Sequence, residues 1–158
     1  MSSDKIKNSD KYLFYGNGDC DVAPMPPYDS IIRNPKDMYD ILLEIWCEYT
    51  CAPRLREGWS LSNITLGQCS ITAFLVQDVF GGEVYGILRP GGNYHCYNVV
   101  GGKTFDLTSE QFQGEVLSYE DNPLQSREVH FAKIEKKERY EYLKAKFYES
   151  TEELFDAK

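Results

Sequence analysis

Apolar residues at helical spacing define the first long element of the chain. Asn34 and Pro35 are typical of a helix N-cap and first turn. The apolar positions after them lie on one face of a helix: Met38, Ile41, Leu42, Ile45, Trp46 and Tyr49. The pattern predicts a helix from Asn34 to about Thr50. Residues 1–34, rich in Gly, Asp and Pro, are predicted to form an N-terminal extension or wrapping arm.

A second and more apolar pattern begins at Cys69, and it predicts a largely buried helix from Cys69 to Phe80. The pair Gly81-Gly82 supplies the stop signal of this helix. Between the two helices, residues 52–66 contain Pro, Gly, Ser and Asn at short intervals, which favours a loop.

Three segments after the second helix are rich in aromatic and β-branched residues, which favour strands. Glycine-rich turns at 90–92 and 101–102 separate the three segments: Glu83 to Leu88, Tyr94 to Val100 and Lys103 to Leu107. Because short turns join neighbouring antiparallel strands, we predict an antiparallel β-meander.

The C-terminal part of the chain predicts one more strand and one more helix. Residues Val129 to Ile134 favour a strand that would contain His130, and Lys136 to about Leu154 shows the apolar spacing of a helix. Helices followed by a run of strands indicate the α+β class. A chain of 158 residues has room for one core, so we assign residues 35–158 to a single α+β domain.

The acidic balance of the chain restricts its partners. A formal net charge of -8 disfavours nucleic acid, since neutralising phosphates needs a surplus of Lys and Arg. The densest basic run, from Lys133 to Lys146, is interrupted by glutamates and is interpreted as a solvated helix face. A polar start and the lack of a long apolar run predict no leader peptide and no membrane partner. We therefore expect a cytoplasmic protein whose five cysteines are free thiols.

Cys69 is the best-placed nucleophile in the sequence. A reactive thiolate is expected near a helix N-terminus and next to a base, and Cys69 begins the second predicted helix. If the helix starts near Gly67, the Cys69 N–H is free to bind an oxyanion. If Thr65 is the N-cap, a capping box from Thr65 to Gln68 occupies the first turn instead. We favour the later start, because a glycine inside the first turn is destabilising.

The helix macrodipole alone is too weak to activate this thiol. It contributes about 0.3–2 kcal/mol, whereas lowering a thiol pKa from about 8.5 to about 6 requires roughly 3.4 kcal/mol. A cationic partner is therefore needed. A two-residue turn at Gly101-Gly102 would pair Val100 with Lys103, and this register places His95 and Asp106 on one face as diagonal neighbours. His95 is thus the predicted base, oriented by Asp106.

This order of residues resembles that of papain-like and transglutaminase-like cysteine enzymes, including arylamine acetyltransferases. The resemblance implies a core of that kind, with Cys69 as nucleophile, His95 as general base and Asp106 as its orienting carboxylate. It implies acyl transfer on an amide, ester or thioester, with the Cys69 N–H and Gln68 as oxyanion donors and no cofactor. The opposing interpretation is a buried Cys69 and a structural, hydrogen-bonded His95.

A set of short motifs also resembles the YunG-like family of uncharacterised bacterial proteins. The matching residues are spread over most of the chain: Pro53, Leu55, Arg56, Trp59, Asn63, Gly67-Gln68-Cys69, Thr72-Ala73, Val76-Gln77-Asp78, Phe80-Gly81-Gly82-Glu83, His95, Tyr97-Asn98, Asp106-Leu107-Thr108, Gln111-Phe112, Tyr140 and Leu143. The resemblance covers roughly residues 35–150 and implies the same domain type. The arm up to Arg33 lies outside it.

A zinc site is the competing use of the cysteines. Cys47 and Cys51 lie four residues apart, and they could join His95 or Cys96 around a metal ion. Tight zinc sites generally carry paired Cys-x-x-Cys knuckles, which this sequence lacks. No metal site is therefore predicted.

A binding function on the same fold is the alternative to catalysis. The chain has many aromatic residues, and Trp59 and Tyr97 are the ones we assign to substrate contact. An aromatic-lined cleft of this kind suits a small-molecule or peptide substrate, or a protein partner in a non-catalytic module. A reactive thiol distinguishes the two functions, since only catalysis requires one.

Overall fold

The computed structural model describes residues 11–157. Helices and strands follow one another in this order: α1 (Pro35–Ile45), α2 (Cys69–Phe80), β1 (Glu83–Leu88), β2 (Tyr94–Val100), β3 (Lys103–Phe105), α3 (Arg127–Phe131) and α4 (Ile134–Asp156). Residues 1–10 of the predicted arm, and Lys158, lie outside the described residues. The protein is α+β, as its sequence predicts.

Helix α1 starts where predicted and ends earlier. Its N-cap is Asn34, whose Oδ1 accepts a hydrogen bond from the Lys36 N–H at 2.9 Å. The helix ends at Ile45 and not near Thr50. The buried Thr50 hydroxyl bonds both the N–H and the carbonyl oxygen of Cys47, at 3.0 and 2.9 Å. A separate turn closed by Thr50 therefore replaces the last predicted turn of the helix.

The three strands form one antiparallel sheet in the order β1–β2–β3. Val100 pairs with Lys103 across the Gly101-Gly102 turn, which is the predicted register. In this register residues two apart on β2 face the same side of the sheet, so His95 and Tyr97 share one face and Cys96 the other. The predicted β-meander is thus confirmed.

Helix α2 packs on β2 and is largely buried. Asn98 of β2 donates from Nδ2 to the Ala73 carbonyl oxygen of α2 at 2.9 Å, a buried hydrogen bond between sheet and helix. The core draws apolar side chains from the helices, the sheet and the arm: Phe14, Ile32, Met38, Leu42, Ile71, Phe74, Leu75, Phe105, Leu143 and Phe147. These contacts hold the start of α2 beside the start of β2.

The predicted strand from Val129 to Ile134 is wrong. Residues Arg127–Phe131 form α3, and Ile134 begins α4. The hydroxyl of Ser126 accepts a hydrogen bond from the Val129 N–H at 3.4 Å and caps α3. The alternating apolar and polar residues Val129, His130 and Phe131 are too few to distinguish a strand from a helix by pattern.

Helix α4 covers the predicted range from Lys136 to Leu154 and extends beyond it at both ends. It packs against α1 and α2. The basic run from Lys133 to Lys146 was predicted to be a solvated helix face, but part of it is buried: Arg139 is 2% exposed and Lys136 is half-buried. Within residues 11–157, no helix is long and apolar enough to span a membrane.

The described part of the arm lies against the core, with Phe14 fully buried. Tyr15 forms an antiparallel bridge with Asp106, whose N–H donates to the Tyr15 carbonyl oxygen at 3.0 Å. Strand β3 ends at Phe105 and not at the predicted Leu107, because Asp106 pairs with the arm instead of with β2. The arm thus reaches the carboxylate that the sequence selects as functional.

Candidate active site

Cys69 is the first residue of α2, which matches the later of the two predicted starts. Gln68 precedes it as N-cap without a side-chain cap bond, so the Cys69 N–H has no partner within the helix. Gly67 permits this start: its φ is +71°, and a Cβ at that position would lie 2.6 Å from the Cys51 sulfur. The local sequence therefore places a thiol and a free backbone donor at one helix end.

His95 and Asp106 form a buried pair, 2% and 1% exposed. His95 Nε2 lies 2.6 Å from Asp106 Oδ2, which is the contact that the hairpin register predicts. Burial alone would lower the pKa of His95, but the charge of Asp106 and its hydrogen bond outweigh burial and raise the pKa to about 10. The His95 ring is therefore an imidazolium at neutral pH.

Further donors hold the Asp106 carboxylate in place. The Tyr119 hydroxyl donates to Oδ2 at 2.7 Å, and the Thr108 N–H donates to Oδ1 at 3.2 Å. The Tyr119 ring stacks on Tyr15 of the arm, with 3.8 Å between ring centroids. The arm thus supports the carboxylate through Tyr119 as well as through the backbone.

Cys69 and His95 line one cavity with a volume of about 820 Å³. This volume is within the range of small-molecule pockets, roughly 300–1,000 Å³. The aromatic wall residues are Tyr94 and Phe112. The Phe112 ring meets the His95 ring edge-on, with 4.7 Å between centroids, and so limits its rotation.

The environment of Cys69 favours its thiolate. Burial raises the pKa of the thiol, but the neighbouring His95 ring and its charge, with the Cys96 N–H, lower it below its usual value. Asp106 occupies Nε2 of His95, which leaves the buried Nδ1 for the thiol; Nδ1 has no hydrogen-bond partner among residues 11–157. The Cys69 sulfur also lies 3.9 Å from the Tyr94 carbonyl oxygen.

The other cysteines occupy different environments. Burial raises the pKa of the three buried thiols, Cys20, Cys51 and Cys96. Cys47 shares partial exposure with Cys69. Across residues 11–157, no three or more His, Cys, Asp or Glu side chains are grouped in a way that could hold a metal ion.

The structure does not bring Gln68, Trp59 or Tyr97 to the cavity wall, although the sequence analysis assigned these side chains to oxyanion or substrate contact. Gln68 is fully buried and donates from Nε2 to a backbone carbonyl oxygen at 3.1 Å. Trp59 Nε1 and the Tyr97 hydroxyl likewise donate to backbone carbonyl oxygens, at 2.9 and 3.2 Å. These three side chains stabilise the fold around the site.

His130 and Lys136 lie in the cavity wall and interact there, although the sequence analysis did not assign either residue to the site. The Lys136 Nζ donates to His130 Nδ1 at 2.9 Å, and His130 Nε2 donates to Gln125 Oε1 at 2.7 Å. Burial and the charges of nearby lysines lower the pKa of His130 to about 4, so its ring is neutral at pH 7. Ser126 followed by Glu128 is a helix-start signal that would have placed His130 on a helix.

Comparison with known proteins relates the whole site to one family. The family described as YunG protein matches residues 34–152. A relative titled "Uncharacterized protein YunG", from Bacillus subtilis (strain 168), is 34% identical over 107 residues, which cover 68% of this chain and 85% of the relative. No solved structure is significantly similar. The matched range includes Cys69, His95 and Asp106, and the chain belongs to the YunG family.

Proposed function

We propose that the protein is a thiol-dependent acyl-transfer enzyme, a hydrolase or transferase that acts on an amide, ester or thioester. The observation that carries this proposal is that Cys69, at a helix start, shares a cavity with His95, which is paired with the buried Asp106. A thiol of lowered pKa beside an imidazolium is the activated form of a cysteine nucleophile. The other cysteines of residues 11–157 lack this combination of helix start and histidine.

In the first step the Cys69 thiolate attacks the acyl carbonyl carbon, and a carbon–sulfur bond forms. The bond to the leaving group breaks, its electron pair stays with the leaving group, and the His95 Nδ1 proton neutralises it. The Cys69 N–H, free at the start of α2, donates to the carbonyl oxygen as that oxygen becomes negative. The products of this step are the acyl-thioester, neutral His95 and the protonated leaving group.

In the second step water or an amine attacks the thioester and gives its proton to His95 Nδ1. The carbon–sulfur bond breaks, and the thiolate and imidazolium are restored. Asp106 holds Nε2 throughout, which keeps Nδ1 available for both proton transfers. Asp106 is thus a positioning residue in this mechanism.

We further propose a papain-like or transglutaminase-like core. The nucleophile at a helix start, the base on the following hairpin and the carboxylate on the next strand end occur here in the order of those enzymes. The packing of α2 on β2 supports this assignment, because it brings the helix start and His95 together. Fold analogy of this kind supports a reaction class and no particular substrate.

Acylation of the thiol tests the proposal directly. The native protein is incubated with simple acyl thioesters and nitrophenyl esters, quenched in acid and measured by intact mass spectrometry. We expect one acyl group per chain, located at Cys69 by peptide mapping, and no acyl group in Cys69→Ala. The variant Cys47→Ala is the matched control, since Cys47 is the other partly exposed thiol of the described chain and should be dispensable.

Two results would contradict the enzyme proposal. One is acylation spread evenly over Cys47 and Cys69, which would show ordinary thiol chemistry. The other is an unchanged acylation rate in His95→Gln, because this substitution removes the imidazolium that activates the thiol. Ligand binding without acylation would instead favour the non-catalytic binding module.

A further inference from the structure

The wall of the active-site cavity carries positive charge, although the whole chain is acidic. The cationic wall residues come from three separate segments: Arg54, Arg89, Lys133, Lys136 and Arg139. Two of the five are neutralised by carboxylates, since Arg89 pairs with Glu115 at 2.8 Å and Arg139 pairs with Glu135. The remaining three take part in no ion pair within residues 11–157.

Lys136 is held in the wall by a chain of hydrogen bonds. Gln125 Oε1 accepts from His130 Nε2 at 2.7 Å, which fixes the proton of the neutral ring on Nε2. The opposite nitrogen, Nδ1, therefore carries a lone pair, and it accepts from Lys136 Nζ at 2.9 Å. Gly86 permits this arrangement, because a Cβ there would lie 2.6 Å from the Gln125 amide carbon. The long, flexible side chain of Lys136 is thus positioned by two others, His130 and Gln125.

Lys136 and the candidate nucleophile, Cys69, line the same cavity. The charge of Lys136 contributes to the lowered pKa of the Cys69 thiol, after the larger effects of burial and His95. Burial lowers the pKa of Lys136 itself, and the Cys69 sulfur opposes this effect. An anion bound in the cavity would also oppose the effect of burial, because it would stabilise the charged form of Lys136.

We infer that the cavity binds an acyl donor that carries an anionic group, a carboxylate or phosphate, and that Lys136 and Lys133 bind this group beside Cys69. The inference rests on the proposed acyl-transfer function and names the substrate class of that site. A solvent-exposed lysine needs no hydrogen-bonded support, whereas Lys136 is half-buried and supported by His130. Charged groups are rarely buried without a partner, and an anionic ligand supplies one.

Two alkylating reagents of similar size but different charge test this inference. Iodoacetate is anionic and iodoacetamide is neutral. The rate of Cys69 alkylation by iodoacetate divided by the rate by iodoacetamide therefore reports how strongly the cavity attracts an anion to the thiol. We expect the double variant Lys133→Gln/Lys136→Gln to lower this ratio by about fivefold. Any change in the pKa of Cys69 alters both rates together and leaves the ratio unaffected.

The matched control is Lys137→Gln/Lys146→Gln, which removes two charges from α4 at positions outside the cavity wall. We expect this control to keep the rate ratio of the native protein. An equal fall in both double variants, or no fall in either, would overturn the anionic-substrate inference while leaving the thiol site intact. If iodoacetamide fails to label Cys69 in the native protein, both the proposed function and this inference are wrong.

Discussion

Asp106 and His95 contact each other at 2.6 Å between Oδ2 and Nε2. His95 lies on β2 and Asp106 directly follows β3, and the two residues are not paired with each other in the sheet. Their contact is diagonal and follows from the two-residue turn at Gly101-Gly102. A slip of one residue would turn Asp106 to the other face of the sheet. The turn therefore determines whether the buried histidine has a counter-ion.

The first prediction concerns the pH dependence of Cys69 alkylation. Because the pKa of this thiol is lowered, its thiolate should persist as the pH falls, until the pH passes below that pKa. The His95 imidazolium should persist as the pH rises to about 10. Labelling by iodoacetamide at pH 6–7 should therefore be faster at Cys69 than at Cys47, as measured by peptide mass spectrometry.

The variant His95→Gln sharpens this prediction. Removing the imidazolium leaves burial as the dominant effect on Cys69, so the thiol pKa should rise. The labelling rate at pH 6.5 should fall, and by about tenfold for each unit by which the thiol pKa rises above 6.5. Labelling of Cys47 should not change. An identical pH–rate profile for Cys69 in both proteins would show that His95 does not act on the thiol.

The His95–Asp106 pair and the start of α2 are predictable because both depend on local sequence. The Gly101-Gly102 turn sets the strand register, and the conformation of Gly67 sets the first residue of α2. Neither needs knowledge of distant contacts. The site residues Cys69, His95 and Asp106 follow from those two local features once a cationic partner for the thiol is sought.

The rest of the cavity depends on contacts between distant segments, which local patterns do not encode. His130 and Lys136 reach the wall through the packing of α3 and α4, whereas the short Val129–Phe131 pattern favours a strand. Tyr119 reaches Asp106 from an irregular segment. Trp59 is close to Cys69 in sequence, but this closeness does not bring it to the cavity wall.

A second prediction concerns Gly67→Ala. The residue has φ of +71°, and a Cβ would lie 2.6 Å from the Cys51 sulfur and 2.8 Å from the Ala52 nitrogen. Left-handed backbone alone costs an alanine about 1–2 kcal/mol, and the steric overlap adds to this. We expect a loss of unfolding free energy beyond that figure, measured by urea denaturation, and slower alkylation of Cys69 at the displaced helix start.

The matched control for this substitution is Gly114→Ala, which lies outside the Gly101-Gly102 turn and the cavity wall. Its φ is +93°, yet no atom lies within 4 Å of the position that its Cβ would occupy. This control should therefore lose only the unfolding free energy that left-handed backbone costs an alanine, and it should retain Cys69 alkylation. Equal destabilisation by the two substitutions would mean that the chain accommodates a methyl group at position 67 without steric strain, and that Gly67 is not required at the helix start.

The last prediction tests the support of the carboxylate by Tyr119. The substitution Tyr119→Phe removes the hydrogen bond to Asp106 Oδ2 at 2.7 Å and keeps the ring that stacks on Tyr15. Hydrogen bonds to charged groups contribute about 1.5–3 kcal/mol, so urea denaturation should show a loss at the lower end of this range for a half-buried hydroxyl. Tyr85→Phe is the control, because its hydroxyl contacts the exposed Glu83 at 3.2 Å and should contribute little. Cys69 alkylation should continue in Tyr119→Phe, because His95 still holds the carboxylate. An unfolding free energy equal to that of the wild type would contradict the prediction and would show that water replaces the hydroxyl at no cost.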